Sequence, residues 1–207
     1  NKTTIEGVEF DLLDSTGKNI IKHVKTDKNG KAEIKNLDIG KYILRETKTR
    51  KEYKIALEQN ITIEWGKTLN LTIENEKMKG KVKITKISED DNLITGEVAG
   101  TPIANVKFEI YDDSGKLVDT LITKADGIAI SKDLVVGKYI VKEKETGEYY
   151  EINENDFEVE ITKNGEVVGL TISNKSKTPP PEKPKEETPK IEVPPIEPIK
   201  KLPVTGY

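Results

Sequence analysis

The sequence predicts an all-β protein: two tandem antiparallel β-sandwiches followed by a disordered proline-rich tail. Three observations carry that prediction. Apolar and polar residues alternate over short runs bounded by Asp, Asn, Ser and Gly, and no stretch keeps a helical period. The same pattern occurs twice, with an offset of 97 to 99 residues. Eight of the ten prolines fall between positions 176 and 201, mixed with Lys and Glu, a composition that cannot build a core.

The repeat sets the domains. Ile5–Lys18 (IEGVEFDLLDSTGK) matches Ile103–Lys116 (IANVKFEIYDDSGK) at an offset of 98. Gly40–Glu46 (GKYILRE) matches Gly137–Glu143 (GKYIVKE) at 97, and Leu71–Asn75 (LTIEN) matches Leu170–Asn174 (LTISN) at 99. A drift of one residue means short indels in loops, so two homologous domains are placed at 1–78 and 79–175. Each is too long to be a solenoid unit. A proline-rich linker follows at 176–201, and the motif LPVTG at 202–206.

Each domain reads as a series of strands. Val8, Phe10 and Leu12 alternate, as do Val106, Phe108 and Ile110. The turns DSTG and DDSG follow, with Asp and Ser placed before Gly. Asp27–Gly30 (DKNG) and Ala125–Gly127 (ADG) are further turns, and the GKYI strands come next. The last two strands of the first domain are ITIEW and TLNLTI, joined at Gly66; those of the second are FEVEIT and VVGLTI, joined by the hairpin signal Asn164-Gly165. The second domain opens with an extra strand, GKVKITKI at Gly80–Ile87, and Ser88–Pro102 reads as a loop. The first domain has no such opening strand, which the reading attributes to truncation upstream of Asn1. The linker is expected to be a polyproline II spacer of roughly 80 Å, at about 3.1 Å per residue.

Composition narrows the chemistry. The 207 residues carry a net charge of −3 with both signs interspersed, so nothing points to nucleic acid. One histidine and no cysteine leave little for transition-metal binding or nucleophilic catalysis, and no cofactor is called for. No run of 18 apolar residues exists to span a membrane.

Three strands of the second domain each end an inward apolar row in a polar residue. The rows are Val82-Ile84-Lys86, Tyr139-Val141-Glu143 and Leu170-Ile172-Asn174. If the first and last strands are neighbours, a lysine, a glutamate and an asparagine converge in the core. Burial favours the neutral forms of lysine and glutamic acid. A neutral amine can attack the asparagine side-chain carbonyl, while a protonated carboxyl polarises it and relays protons to the leaving ammonia. The product is an amide between Lys86 and Asn174. The alternative is a buried Lys–Glu ion pair with a hydrogen-bonded asparagine, and residue types alone leave both readings open.

The succession V-x-I-x-K, G-x-Y-x-V-x-E and a last strand ending in Asn resembles the collagen-adhesin B-type domain, over both repeats. The resemblance implies a prealbumin-like, Ig-like sandwich of the kind found in Gram-positive pilins and adhesins. It also implies an autocatalytic isopeptide bond, with Lys86 as nucleophile, Asn174 as acceptor and Glu143 as catalytic acid. In the first domain Glu46 and Asn75 stand where acid and acceptor belong, but the partner lysine is missing. That domain is expected to lack the bond and to expose an unpaired sheet edge. Such a bond forms once per molecule, so the chain is not read as an enzyme.

Leu202, Pro203, Val204, Thr205 and Gly206 resemble the LPxTG sorting signal of wall-anchored proteins. The resemblance implies a sortase that cleaves between Thr205 and Gly206 and joins Thr205 to peptidoglycan or to a pilin subunit. Pro203 fixes its own φ, and Gly206 leaves the scissile bond unhindered. The expected whole is an extracellular, cell-wall-anchored stalk, either an anchoring or minor pilin subunit or the stalk of an adhesin. The alternative is a domain that itself grips host matrix or glycan. His23 is read as a surface residue and Trp65 as packing at a domain edge. Asp112, Asp113 and Asp126 are read as turn residues rather than a calcium site.

Overall fold

The structure, a computed structural model, describes residues 3–179. Lys2, the linker beyond Pro179 and the motif Leu202–Gly206 lie outside the described residues. Those described form twelve strands and no helix, so no helix is long and apolar enough to cross a membrane.

The first four strands are β1 (Glu9–Asp14), β2 (Ile20–Lys25), β3 (Gly40–Lys48) and β4 (Gln59–Ile63). They make one antiparallel sheet in the order β2-β1-β3-β4. The other eight are β5 (Lys79–Ser88), β6 (Lys107–Asp112), β7 (Leu117–Ile122), β8 (Ile128–Ile130), β9 (Leu134–Val135), β10 (Gly137–Glu145), β11 (Asp156–Ile161) and β12 (Val167–Asn174). They build two sheets, β11-β10-β6-β7 and β12-β5-β8, with β9 paired to the start of β5. The inward rows of these sheets meet in one core, where Val82, Ile84, Val106, Phe108, Ile110 and Val141 are wholly buried.

β5 and β12, the first and last strands of the second domain, lie side by side and run parallel, with Val82 opposite Val168, Ile84 opposite Leu170 and Lys86 opposite Ile172. Every other ladder among the described strands is antiparallel. A parallel pair needs a long crossover, and here the remainder of the domain is that crossover.

Two expectations about the closing strands are corrected. Asn164-Gly165 is a turn, but it does not make a hairpin, because β11 pairs with β10 and β12 pairs with β5. The turn is bonded to β5 instead. Asn164 Oδ1 accepts from Lys79 N at 3.1 Å, Gly165 N donates to Lys79 O at 2.7 Å and Lys81 N donates to Glu166 O at 2.8 Å. The chain therefore passes from one sheet to the facing one. In the first domain, TLNLTI is not a strand of any ladder. Its counterpart β12 pairs only with β5, and the first domain contains no equivalent of β5 among the described residues. Ala32 likewise has no ladder, although its counterpart Ala129 lies in β8 and pairs with Ile84 of β5. Leu69 and Leu71 stay 44% and 43% exposed. Trp65, expected to pack, is 87% exposed for the same reason: the second sheet it would edge does not form.

Candidate cross-linking site

Strand parity delivers three polar side chains to one point of the second core. β5 buries every second residue from Gly80 to Ser88, so Lys86 follows Val82 and Ile84 inward. β10 buries Tyr139, Val141 and Glu143, and β12 buries Ile172 and Asn174. Lys86, Asn174 and Glu143 are 0%, 2% and 5% exposed. A lysine so deep in a core is rare without a partner.

The three groups satisfy one another. Asn174 Nδ2 donates to Glu143 Oε1 at 2.6 Å and to Thr146 Oγ1 at 2.8 Å. Lys86 Nζ donates to Asn174 Oδ1. The same nitrogen lies 2.9 Å from Glu143 Oε2, an oxygen with no other well-aligned donor. The ring of Phe108, opposite Glu143 in the β6–β10 register, has its centroid 5.9 Å from Nζ. Burial lowers the pKa of Lys86 from its ordinary value, and the Glu143 carboxylate partly opposes that shift.

Turn chemistry holds the site's frame. Lys86 N donates to Gly127 O at 2.8 Å, and Ile103 N donates to Lys86 O at 3.0 Å. A Cβ on Gly127, whose φ is +71°, would lie 2.4 Å from the Lys86 carbonyl oxygen. Thr123 Oγ1 accepts from Val106 N at 3.0 Å and donates to Ile103 O at 2.8 Å, locking the loop ahead of β6.

The first domain repeats this frame and two of the three groups. Thr26 Oγ1 accepts from Val8 N at 2.9 Å and donates to Ile5 O at 2.8 Å, position for position as Thr123 does. Glu46 is 4% exposed, and its Oε1 accepts from Asn75 Nδ2 at 2.7 Å. Its Oε2 accepts from Ala56 N at 3.2 Å, and Asn75 Nδ2 also donates to Lys54 O at 2.9 Å. Among the described residues no lysine forms an ion pair with Glu46.

Thr146 escaped the sequence reading. It lies beyond the end of β10, outside the alternating rows that point to the other three, and no sequence signal could have found it. His23 is exposed, with Nδ1 2.6 Å from Asp11 Oδ1. Asp112 Oδ1 accepts from Ser114 N and Lys116 N at 3.0 Å each, which is turn chemistry.

The family described as the SpaA prealbumin-like fold domain matches residues 1–77 and again 80–176. The trypsin-resistant surface T6 protein of Streptococcus pyogenes is 33% identical over 81 residues, covering 39% of this chain and 15% of that protein. The collagen adhesin of Staphylococcus aureus is 34% identical over 99 residues, covering 41% of this chain and 8% of that protein. The chain thus spans a small part of the relatives it matches. Among solved structures, the Bacillus anthracis TIE protein superposes with a TM-score of 0.72 at 30% identity, over 85% of this chain and 32% of that one. A C-terminal fragment of the pilus adhesin SpaC from Lactobacillus rhamnosus GG shares the fold, with a TM-score of 0.51 at 13% identity over 85% of this chain and 91% of that one.

Proposed function

The chain belongs to the family of SpaA prealbumin-like fold domains, and from that premise we propose that it is part of a Gram-positive surface stalk whose second domain is closed by a Lys86–Asn174 amide. The observation that carries this reading is the buried contact of an amine, a carboxylate and a carboxamide, with no water-exposed face among the three. An ion pair alone accounts for Lys86 and Glu143. It gives no reason for an asparagine that offers its carbonyl to the amine and its NH₂ to the carboxylate.

The step balances within the trio. Lys86 passes a proton to Glu143 Oε2, and the freed amine attacks the Asn174 side-chain carbon. The new C–N bond forms as the carbonyl electron pair moves to Oδ1. Glu143 hands protons to Nδ2, 2.6 Å from Oε1. The old C–N bond breaks, the carbonyl re-forms, and ammonia departs with the second proton lost by the lysine nitrogen. Burial helps by favouring the uncharged amine.

The same reading takes LPVTG as the attachment point, with Thr205 joined by a sortase to peptidoglycan or to a pilin subunit. Surface location and pilin kinship follow from the relatives; the anchor rests on the motif. The matrix-binding alternative takes its support from the collagen adhesin's name, and saturable binding of the chain to collagen would favour it.

Intact mass decides the cross-link. The full chain should weigh one ammonia less than its sequence, and the Lys86→Ala and Glu143→Ala variants should weigh what theirs predict. Digestion should yield one branched peptide joining the β5 and β12 segments. A wild-type chain at full sequence mass would reduce the site to a buried ion pair.

A further inference from the structure

We propose that the first domain is a covalent docking slot for an extended, lysine-bearing strand of a second polypeptide. The covalent half of this proposal rests on the isopeptide reading above; the docking half does not. The second domain shows what the slot takes. There β5 lies between β12 and β8 and inserts Val82, Ile84 and Lys86 into the core. In the first domain the segments equivalent to β12 and β8 are both present, and both lie without a ladder partner.

The vacancy is visible residue by residue. Ala129, Leu134, Val136, Tyr139 and Val141 are buried around β5, whereas their counterparts Ala32, Leu37, Ile39, Tyr42 and Leu44 are all exposed or half-buried. Ile39 reaches 66% exposure where Val136 has 9%. This apolar face is bordered by Leu69, Leu71 and Trp65.

The polar end of the slot states the chemistry of its occupant. Glu46 and Asn75 already hold each other as Glu143 and Asn174 do, at 2.7 Å and 2.6 Å. A buried carboxylate beside a carboxamide selects a cation, and the register of the second domain places it. An incoming strand parallel to Thr68–Ile73 would set two apolar residues against Leu69 and Leu71, as Val82 and Ile84 stand against Val168 and Leu170. Two residues later its lysine would meet Glu46. Ile5 N and Gly30 O occupy the positions of Ile103 N and Gly127 O, which bond the backbone of Lys86. The occupant is therefore a strand of the pattern apolar-x-apolar-x-Lys. Of the described strands, β5 carries it and is held in the second domain's own core. Once seated, the lysine amine attacks the Asn75 side-chain carbon, the C–Nδ2 bond breaks, and ammonia leaves protonated through Glu46.

The test mixes the full chain with a synthetic peptide of the β5 sequence, Lys79–Ser88. The expected product is chain plus peptide minus one further ammonia, with the branch mapped to Asn75. The Asn75→Ala chain should bind the peptide reversibly and form no adduct, and a peptide with Lys86→Ala should do the same on the wild-type chain. A scrambled peptide should bind at least tenfold more weakly. The second domain's own ammonia loss is read in the same spectrum. If that loss occurs and the β5 peptide neither binds nor couples, the slot is refuted while the stalk chemistry stands. If the peptide binds reversibly but neither domain forms an amide, docking stands and the chemistry of both domains falls. Protein isolated from cells with Asn75 already joined to a lysine of its own polypeptide overturns the second-chain source.

Discussion

At the scale of single residues, Lys86 determines what the second domain can be. An uncompensated ammonium in that core would cost several kcal/mol, so its neighbours must neutralise or consume it. The proposed amide joins positions 88 apart in sequence. By analogy with disulfide loop entropy, closing such a loop stabilises by about 4–5 kcal/mol. Lys86→Ala should therefore lower unfolding free energy by at least that amount in urea titrations, and the loss should be indifferent to thiols. The asparagine-free variant exposes the proton linkage. In Asn174→Ala no amide can form, and Lys86 retains a folded pKa below its ordinary 10.5 because burial disfavours the ammonium. The unfolded chain then binds more protons than the folded one between the lowered value and 10.5. Stability should rise with pH across that window and show no contribution from this group below it. Urea midpoints measured against a Lys86→Met, Asn174→Ala double variant, which lacks the group, isolate the effect.

At the scale of elements, the site depends on β5 being gripped from both sides. Gly127 is the tightest point of that grip. Its left-handed φ and the 2.4 Å approach to the Lys86 carbonyl leave no room for a side chain. Gly127→Ala should cost well over about 1 kcal/mol, since both the backbone conformation and the space are wrong. It should also slow amide formation in refolded protein, followed by timed mass spectra. Gly165→Ala is the control. It has a similar φ of +79° but open space around it, so it should pay only the backbone cost of about 1–2 kcal/mol.

At the scale of the whole molecule, the two halves are one architecture at two stages of completion. The second has both sheets and a closed core; the first has one sheet and an uncovered face. Amide exchange should register this directly. Lys31–Ile39 and Thr68–Ile73 should exchange near the rate of an open chain, while β5, β8 and β12 should be the slowest segments. Equal protection in the two halves would show that the first domain closes by itself. The junction is not slack. Met78 N donates to Glu52 O at 2.8 Å, and Val136 N donates to Met78 O at 3.1 Å, so one residue is bonded to both halves. A load entering at β5 and leaving at β12 would meet the proposed amide near the far end of both strands.

Much of this was legible in the sequence, because it is written in local alternation. The rows ending in Lys86, Glu143 and Asn174 follow from the two-residue period of a strand, and the duplication exposes Glu46 and Asn75 as their counterparts. The DSTG, DDSG and DKNG turns follow from Asp and Gly chemistry that acts within four residues. What tertiary structure alone decided is which strand lies beside which. The parallel β5–β12 pairing, the passage of Asn164-Gly165 between sheets, the capture of Asn174 by Thr146 and the unladdered Thr68–Ile73 all depend on partners dozens of residues away. A strand's own residues state which side faces inward. Whether it becomes a strand at all depends on a neighbour to share its backbone hydrogen bonds, and the first domain lacks that neighbour among the described residues.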